Sequence, residues 1–249
     1  MKSHQDNNKN FNLISLKSVC KNYGHIKALK NINLEINSGD SISIFGENGA
    51  GKSTLLKILS LQSKNSSGKI TFNGKTAKEL NDDFRLKFGV ISHNSFLYNN
   101  MSAYENLMFY GSLYNVSNLE NKVIELLKKF DIYKRRDDLI RTYSRGMLQR
   151  VSIARALIHS PQIIFLDEPY TGLDKVASIN LSNILKEEIS NKKTLILITH
   201  DLEVGLDIGN KILILNKGEI VFNENIENID IPSFQDKYIN FASNMEISK

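Results

Sequence analysis

Phe45-Gly46-Glu47-Asn48-Gly49-Ala50-Gly51-Lys52-Ser53-Thr54 fits the pattern G-x-x-x-x-G-K-[ST], with Gly46, Gly51, Lys52 and Ser53 at its fixed positions. The glycines allow a tight loop whose backbone N–H groups turn inward around phosphate oxygens. Lys52 adds a positive charge for β- and γ-phosphates, and Ser53 offers a hydroxyl to Mg²⁺. The flanks agree with this reading. Ser41–Phe45 alternates like a strand, and Thr54–Leu59 reads as a helix. A helix N-terminus behind the loop adds partial positive charge beneath the phosphates. A chance glycine-rich turn would satisfy the same pattern, so the rest of the chain has to decide.

About 115 positions after Lys52, the apolar run Ile163-Ile164-Phe165-Leu166 ends in Asp167-Glu168. A carboxylate at the C-terminal end of a strand beside a phosphate loop is placed to hold Mg²⁺. A second carboxylate there can accept a proton from an attacking water. Two solvated acids at a strand end would look similar, but four apolar residues before them and Pro169 after them argue against it. A second apolar run, Thr194–Ile198, leads into His200, whose imidazole can orient water or reach a γ-phosphate.

In order and spacing these motifs resemble the ATP-binding subunit of ABC transporters along nearly the full chain. The resemblance implies an α/β fold: a P-loop NTPase core of ABC ATPase type, with an N-terminal antiparallel β subdomain and a helical insertion. It implies that Gly46–Thr54 is Walker A and that Ile163–Glu168 is Walker B with its catalytic glutamate. Tyr170-Thr171-Gly172-Leu173-Asp174 matches the D-loop, and His200 matches the switch histidine. Tyr23 matches the aromatic that stacks on adenine. ATP and Mg²⁺ are the implied cofactors, with Ser53, Asp167 and Asn94 as the implied metal contacts.

Two departures stand out. Tyr143-Ser144-Arg145-Gly146-Met147 occupies the place of the L-S-G-G-Q signature, keeping Ser144 and Gly146 as the implied γ-phosphate contacts and putting Arg145 where a glycine is usual. At the Q-loop, Ser92-His93-Asn94 places Asn94 in register with the glutamine, one methylene shorter. His93 is the alternative bearer of that role.

The chain has 249 residues, enough for one large domain with a subdomain. Residues 1–12 read as a disordered polar tail, 13–225 as the ATPase domain and 226–249 as a C-terminal tail. From about 95 to 145 the apolar residues take helical spacing, notably Leu119, Val123, Leu126, Leu127 and Phe130. Cys20 is the single cysteine, which excludes an internal disulfide and a cysteine-rich zinc site. The net charge of +5 comes from scattered lysines. It fits a coding bias better than a nucleic-acid face. No run approaches the roughly 20 apolar residues of a membrane helix, and the N-terminus lacks a signal-peptide core. The expectation is a cytoplasmic protein, peripheral on the inner face of the cell membrane through a permease.

The resemblance further implies a head-to-tail dimer, homo- or heterodimeric, in which each ATP lies between one Walker A and the other subunit's signature. A nucleic-acid-directed ABC ATPase is disfavoured, because only about ninety residues separate Walker A from the signature, too few for a coiled-coil arm. A P-loop kinase would not need Ser144–Gly146 or the D-loop. Ile91–Tyr98 and Ala103–Tyr110 resemble the haem-exporter ATPase of cytochrome c maturation, and also multidrug and lipid ABC-2-type exporters. Export is therefore the expected direction, with haem as the leading cargo.

Overall fold

The computed structural model describes residues 13–92, 95–232, 234 and 238. The expected polar tail over 1–12, both candidates for the Q-loop role (His93 and Asn94) and most of the C-terminal tail lie outside the described residues.

The chain runs β1 (Ile14–Tyr23), β2 (Ile26–Ile36), β3 (Ser41–Phe45), α1 (Lys52–Leu59), β4 (Ser67–Phe72), β5 (Lys75–Thr76), β6 (Phe88–Ile91), α2 (Ala103–Leu113) and α3 (Leu119–Lys129). It continues through α4 (Arg145–Leu157), β7 (Ile163–Asp167), α5 (Lys175–Ser190), β8 (Thr194–Ile198), α6 (Leu202–Ile208), β9 (Lys211–Asn216) and β10 (Glu219–Asn225). Four strands form an antiparallel sheet in the order β2-β1-β4-β5, and six form a second sheet in the order β10-β9-β3-β8-β7-β6. The second sheet is parallel except where β10 returns against β9. This is the α/β architecture expected, with the antiparallel sheet built from the N-terminal strands.

Strand periodicity divides the core. Ile163 and Phe165 of β7, with Ile196 and Ile198 of β8, pack with α1 and the antiparallel sheet. The alternate residues Ile164, Leu166, Leu195 and Leu197 pack with α2, α3, α4 and α5. Both strands are buried throughout, as uninterrupted apolar runs between two covered faces should be. In register, Ile44 pairs with Ile198 and Asp167 with Ile198. The residues that follow β3, β7 and β8 therefore emerge side by side at one edge.

α1 begins at Lys52, two residues before the Thr54 start expected from the sequence. α4 begins at Arg145 and α5 at Lys175, each start set by a cap: Ser144 accepts from Met147 N–H and Asp174 from Ala177 N–H. The chain beyond 225 is not featureless. Phe234 is buried against Phe45, Ile212 and Ile214, and the Tyr238 ring lies 5.6 Å from Phe45, the residue before the glycine loop.

Candidate functional site

The loop after β3 is shaped by its neighbours. Gly46 has φ 142°, and a Cβ there would stand 2.2 Å from the Leu215 carbonyl oxygen; at Gly51, with φ 105°, it would meet the Ala28 carbonyl oxygen at 2.6 Å. Only glycine fits either position. Lys52 is buried to 9% exposure and its Nζ donates to the Gly46 and Glu47 carbonyls at 2.5 and 2.8 Å. Burial lowers its pKa, opposed by the charges of Glu168, Asp167 and Glu47. The ammonium thus lies in a partly dry position among carboxylates, where a phosphate would be a stronger partner than water.

Asp167 ends β7 and is 4% exposed. Glu168 follows with φ 52°, a left-handed conformation costly for a side chain of this size. Its N–H donates to Ile198 O at 3.0 Å, which holds the turn to β8. His200, two residues beyond β8, brings Nδ1 to 2.8 Å from Glu168 Oε2. The expected acid and histidine are therefore brought together, although 32 positions apart.

A cleft of about 440 Å³ opens over Lys52 and the acid pair, lined by Glu47–Gly49 and Gly51–Thr54 of the phosphate loop, by Asp167 and Glu168, and by one side of β2; His200 lies outside this lining. Ser53 and Asp167 contribute the hydroxyl and carboxylate oxygens that Mg²⁺ prefers, and the glycine-shaped loop with Lys52 suits a polyphosphate. The donor set fits Mg²⁺-ATP. The cleft also contains residues that sequence reasoning missed: Ile26, Lys27, Lys30 and Lys217. Lys217 is carried by the β9–β10 turn, where Gly218 bonds Ala50 of the loop and Lys30 of β2. That tertiary junction left no sequence signal beyond Asn216-Lys217-Gly218.

Tyr23 is half exposed at the end of β1, with the Lys21 ammonium 4.8 Å from its ring centroid, and it does not line the cleft. Ser144, Arg145, Gly146 and Asp174 also lie outside the cleft lining. They form a second group. Arg145 lays its methylenes against Gly172, Gly146 faces the Gly172 carbonyl, and Gln149 donates to Pro169 O at 2.9 Å. The turn that follows Glu168 is thereby tied to the start of α4.

A phosphate loop, a histidine beyond the end of the neighbouring parallel strand and an acid pair at the end of the next define a P-loop ATPase. The chain belongs to the ABC transporter family, whose pattern matches residues 29–171. It is 34% identical over 82% of its length to the ABC transporter ATP-binding protein NatA of Bacillus subtilis, covering 84% of that protein. It is 30% identical to the linearmycin resistance ATP-binding protein LnrL of the same organism, over 84% of this chain and 68% of LnrL. It is 34% identical to the methionine import ATP-binding protein MetN of Clostridioides difficile, over 84% of this chain and 67% of MetN. Among solved structures, the cassette MJ0796 in a dimeric post-hydrolysis state with ADP and Pi is 30% identical, with a TM-score of 0.79, over 87% of this chain and 100% of that one. The chain is an ABC ATPase that binds ATP with Mg²⁺ and hydrolyses it in the service of a transporter. Among the described residues no helix is long and apolar enough to cross a membrane.

Proposed function

We propose that this subunit powers export through a separate membrane permease, working as a head-to-tail dimer. The contact between His200 and Glu168, the latter in the cleft lining, carries the catalytic part of this reading. Glu168 takes the proton of the attacking water, and His200 orients its carboxylate and the terminal phosphate. Lys52 and the loop N–H groups from Gly46 to Thr54 hold the phosphates. Ser53, Asp167 and Asn94 would hold Mg²⁺, which supplies charge neutralisation when bound. Tyr23 receives the adenine edge. Ser144, Arg145 and Gly146, outside the lining of their own cleft, serve the partner's ATP together with Asp174. Support for the dimer comes from MJ0796, solved as a dimer. The 95–145 insertion, with exposed Phe96, Tyr98 and Leu113 around α2, is the part that meets the permease.

For cargo, a drug or lipid amphiphile is favoured over haem. The similarity to a protein named for linearmycin resistance supports it. The haem reading rests on the 91–98 and 103–110 runs, and several of their residues have internal work. Ser102 and Glu105 cap α2 reciprocally, and buried Asn106 bonds Tyr98 and Ser102. Similarity to MetN keeps import as the opposed direction. The deciding experiment reconstitutes the subunit with its permease in vesicles and measures ATP-driven flux of labelled amphiphile and of haem. Outward transport of the amphiphile supports the reading, and ATP-driven uptake in the import direction overturns it.

A further inference from the structure

Lys217 lines the nucleotide cleft, and none of the motifs gives it a role. It is the first residue of the two-residue turn from β9 to β10, with Asn216 and Glu219 paired across it. Lys217 and Gly218 both have positive φ, 45° and 86°. A tight hairpin turn of this hand needs positive φ at both positions, and asparagine, aspartate or glycine is the usual first residue. For a lysine the left-handed backbone is costly. A turn that only had to reverse the chain would be better served by asparagine, so the side chain is where the lysine has its use.

The turn is firmly mounted. Gly218 N–H donates to the Ala50 carbonyl in the phosphate loop at 3.0 Å, and the Gly218 carbonyl accepts from Lys30 N–H in β2 at 2.7 Å. A Cβ on Gly218 would stand 2.8 Å from the Ala28 carbonyl oxygen, so the turn and β2 meet backbone to backbone. Lys217 is thereby carried to the junction of two cleft walls, the phosphate loop and β2. The other cations there have partners. Lys52 is bonded to loop carbonyls and feels the charges of Glu168, Asp167 and Glu47. Lys30 Nζ lies 3.8 Å from Glu219 Oε1. Lys27 makes no ion pair among the described residues, but it sits at the exposed start of β2, away from this mount. Lys217 is exposed, makes no ion pair among the described residues, and its backbone is fixed.

We propose that Lys217 is a nucleotide-binding residue whose ammonium pairs with the phosphates that ATP and ADP have in common. Lys52 and the acids occupy the end of the cleft where the terminal phosphate is cleaved. Lys217, at the β2 junction, is left with the phosphates nearer the nucleoside. Lysine suits this task as a compact point charge that needs no particular phosphate geometry. The assignment rests on the reading that the glycine loop holds the phosphates.

The test titrates the full chain calorimetrically with ADP and with a non-hydrolysable ATP analogue at several salt concentrations, and records melting temperatures. The variants are Lys217→Asn, Lys217→Arg, Lys217→Glu and Lys52→Ala. Asparagine suits the turn, so Lys217→Asn should melt at or above the parent temperature. Its affinity for both nucleotides should nevertheless fall about three- to tenfold, with a weaker dependence on salt. Lys217→Glu should lose more than Lys217→Asn, and Lys217→Arg should stay close to the parent. Parent affinity in both Lys217→Asn and Lys217→Glu overturns the proposal. So does a loss confined to the ATP analogue, which would put Lys217 at the terminal phosphate. Equal losses in Lys217→Arg and Lys217→Asn, each with a lower melting temperature, also overturn it, since the residue would then act through the turn alone. Lys52→Ala separates the two readings. Normal affinity there removes the phosphate loop from the site, and with it the frame for Lys217. Weakened binding there, with parent affinity in Lys217→Asn, overturns the Lys217 assignment alone.

Discussion

Nδ1 of His200 lies 2.8 Å from Oε2 of Glu168, with the glutamate side chain mostly buried at 17% exposure and the histidine at 78%. The buried member is held by a strained backbone, φ 52°, and by its own N–H on Ile198 O. The exposed member has this contact with Glu168 as its side-chain bond among the described residues. This asymmetry suits a buried, fixed base and an exposed orienting group. Glu168→Gln keeps shape but loses basicity, so hydrolysis should fall by about 10²–10⁴-fold with Mg²⁺-ATP affinity retained. His200→Ala should fall less, because it leaves the carboxylate in place. Single-turnover hydrolysis of both variants checks the order; a His200→Ala enzyme slower than Glu168→Gln would reverse the two roles.

Lys52 bridges the Gly46 and Glu47 carbonyls, so it shapes the loop as well as charging it. Lys52→Ala should abolish measurable ATP binding and hydrolysis together. Calorimetric titration with a non-hydrolysable ATP analogue tests this, and normal affinity would remove the phosphate-loop assignment.

Tyr23→Ala should weaken ATP binding by about 1–3 kcal/mol, by analogy with base–aromatic stacking. Its kcat at saturation should hold, since stacking acts alike on ground and transition states. Lys21 already sits over this ring, so Lys21→Ala should have a smaller effect in the same direction. A sharp drop in kcat with unchanged affinity would place adenine elsewhere.

Much of this site was legible because its groups lie at strand ends. Apolar runs such as Ile163–Leu166 and Thr194–Ile198 announce buried parallel strands, and the residues that follow them, Asp167, Glu168 and His200, inherit a common edge. What was not legible depends on contacts between distant segments. Lys217 reaches the cleft only because a hairpin turn bonds Ala50 and Lys30. Arg145 reads as a lost glycine in the sequence, whereas in the fold it covers Gly172. Phe234 and Tyr238 are isolated aromatics without periodicity, so nothing in their spacing indicates that they pack beneath Phe45.

His159 stacks on Tyr114 with centroids 3.8 Å apart, and its Nε2–H donates to Phe88 O at 3.0 Å. Its Nδ1 is buried without a partner among the described residues. Burial pushes its pKa from 6.5 down to about 4. The unfolded chain therefore takes up this proton near pH 6.5 and the folded chain only near 4. The stabilisation is fully present above pH 6.5, declines as pH falls towards 4 and is gone below that. Its size is on the order of 3 kcal/mol. Urea unfolding at several pH values should show a flatter dependence between these limits in His159→Phe than in the parent. Equal slopes would mean that His159 titrates alike in both states.

Ser144, Arg145 and Gly146 begin α4 outside their own cleft, tied through Gly172 and Pro169 to the turn that follows Glu168. If that face completes a partner's ATP site, stopping hydrolysis should trap the dimer. Glu168→Gln with Mg²⁺-ATP should shift from monomer to dimer in light scattering, and at a hundred times the Kd the nucleotide stabilises the closed form by about 2.7 kcal/mol. Adding Ser144→Arg should abolish the shift, since a bulky cation would fill the seat facing the partner's γ-phosphate. Ser144 also caps α4, and loss of a cap costs about 1 kcal/mol. Ser144→Asn, which can still cap but presents no cation, therefore serves as the folding control, and its melting temperature should match the parent. The measurement is repeated with the permease present, where weak association of isolated subunits no longer matters. A nucleotide-dependent dimer indifferent to Ser144→Arg would show that the signature face is not part of the ATP site.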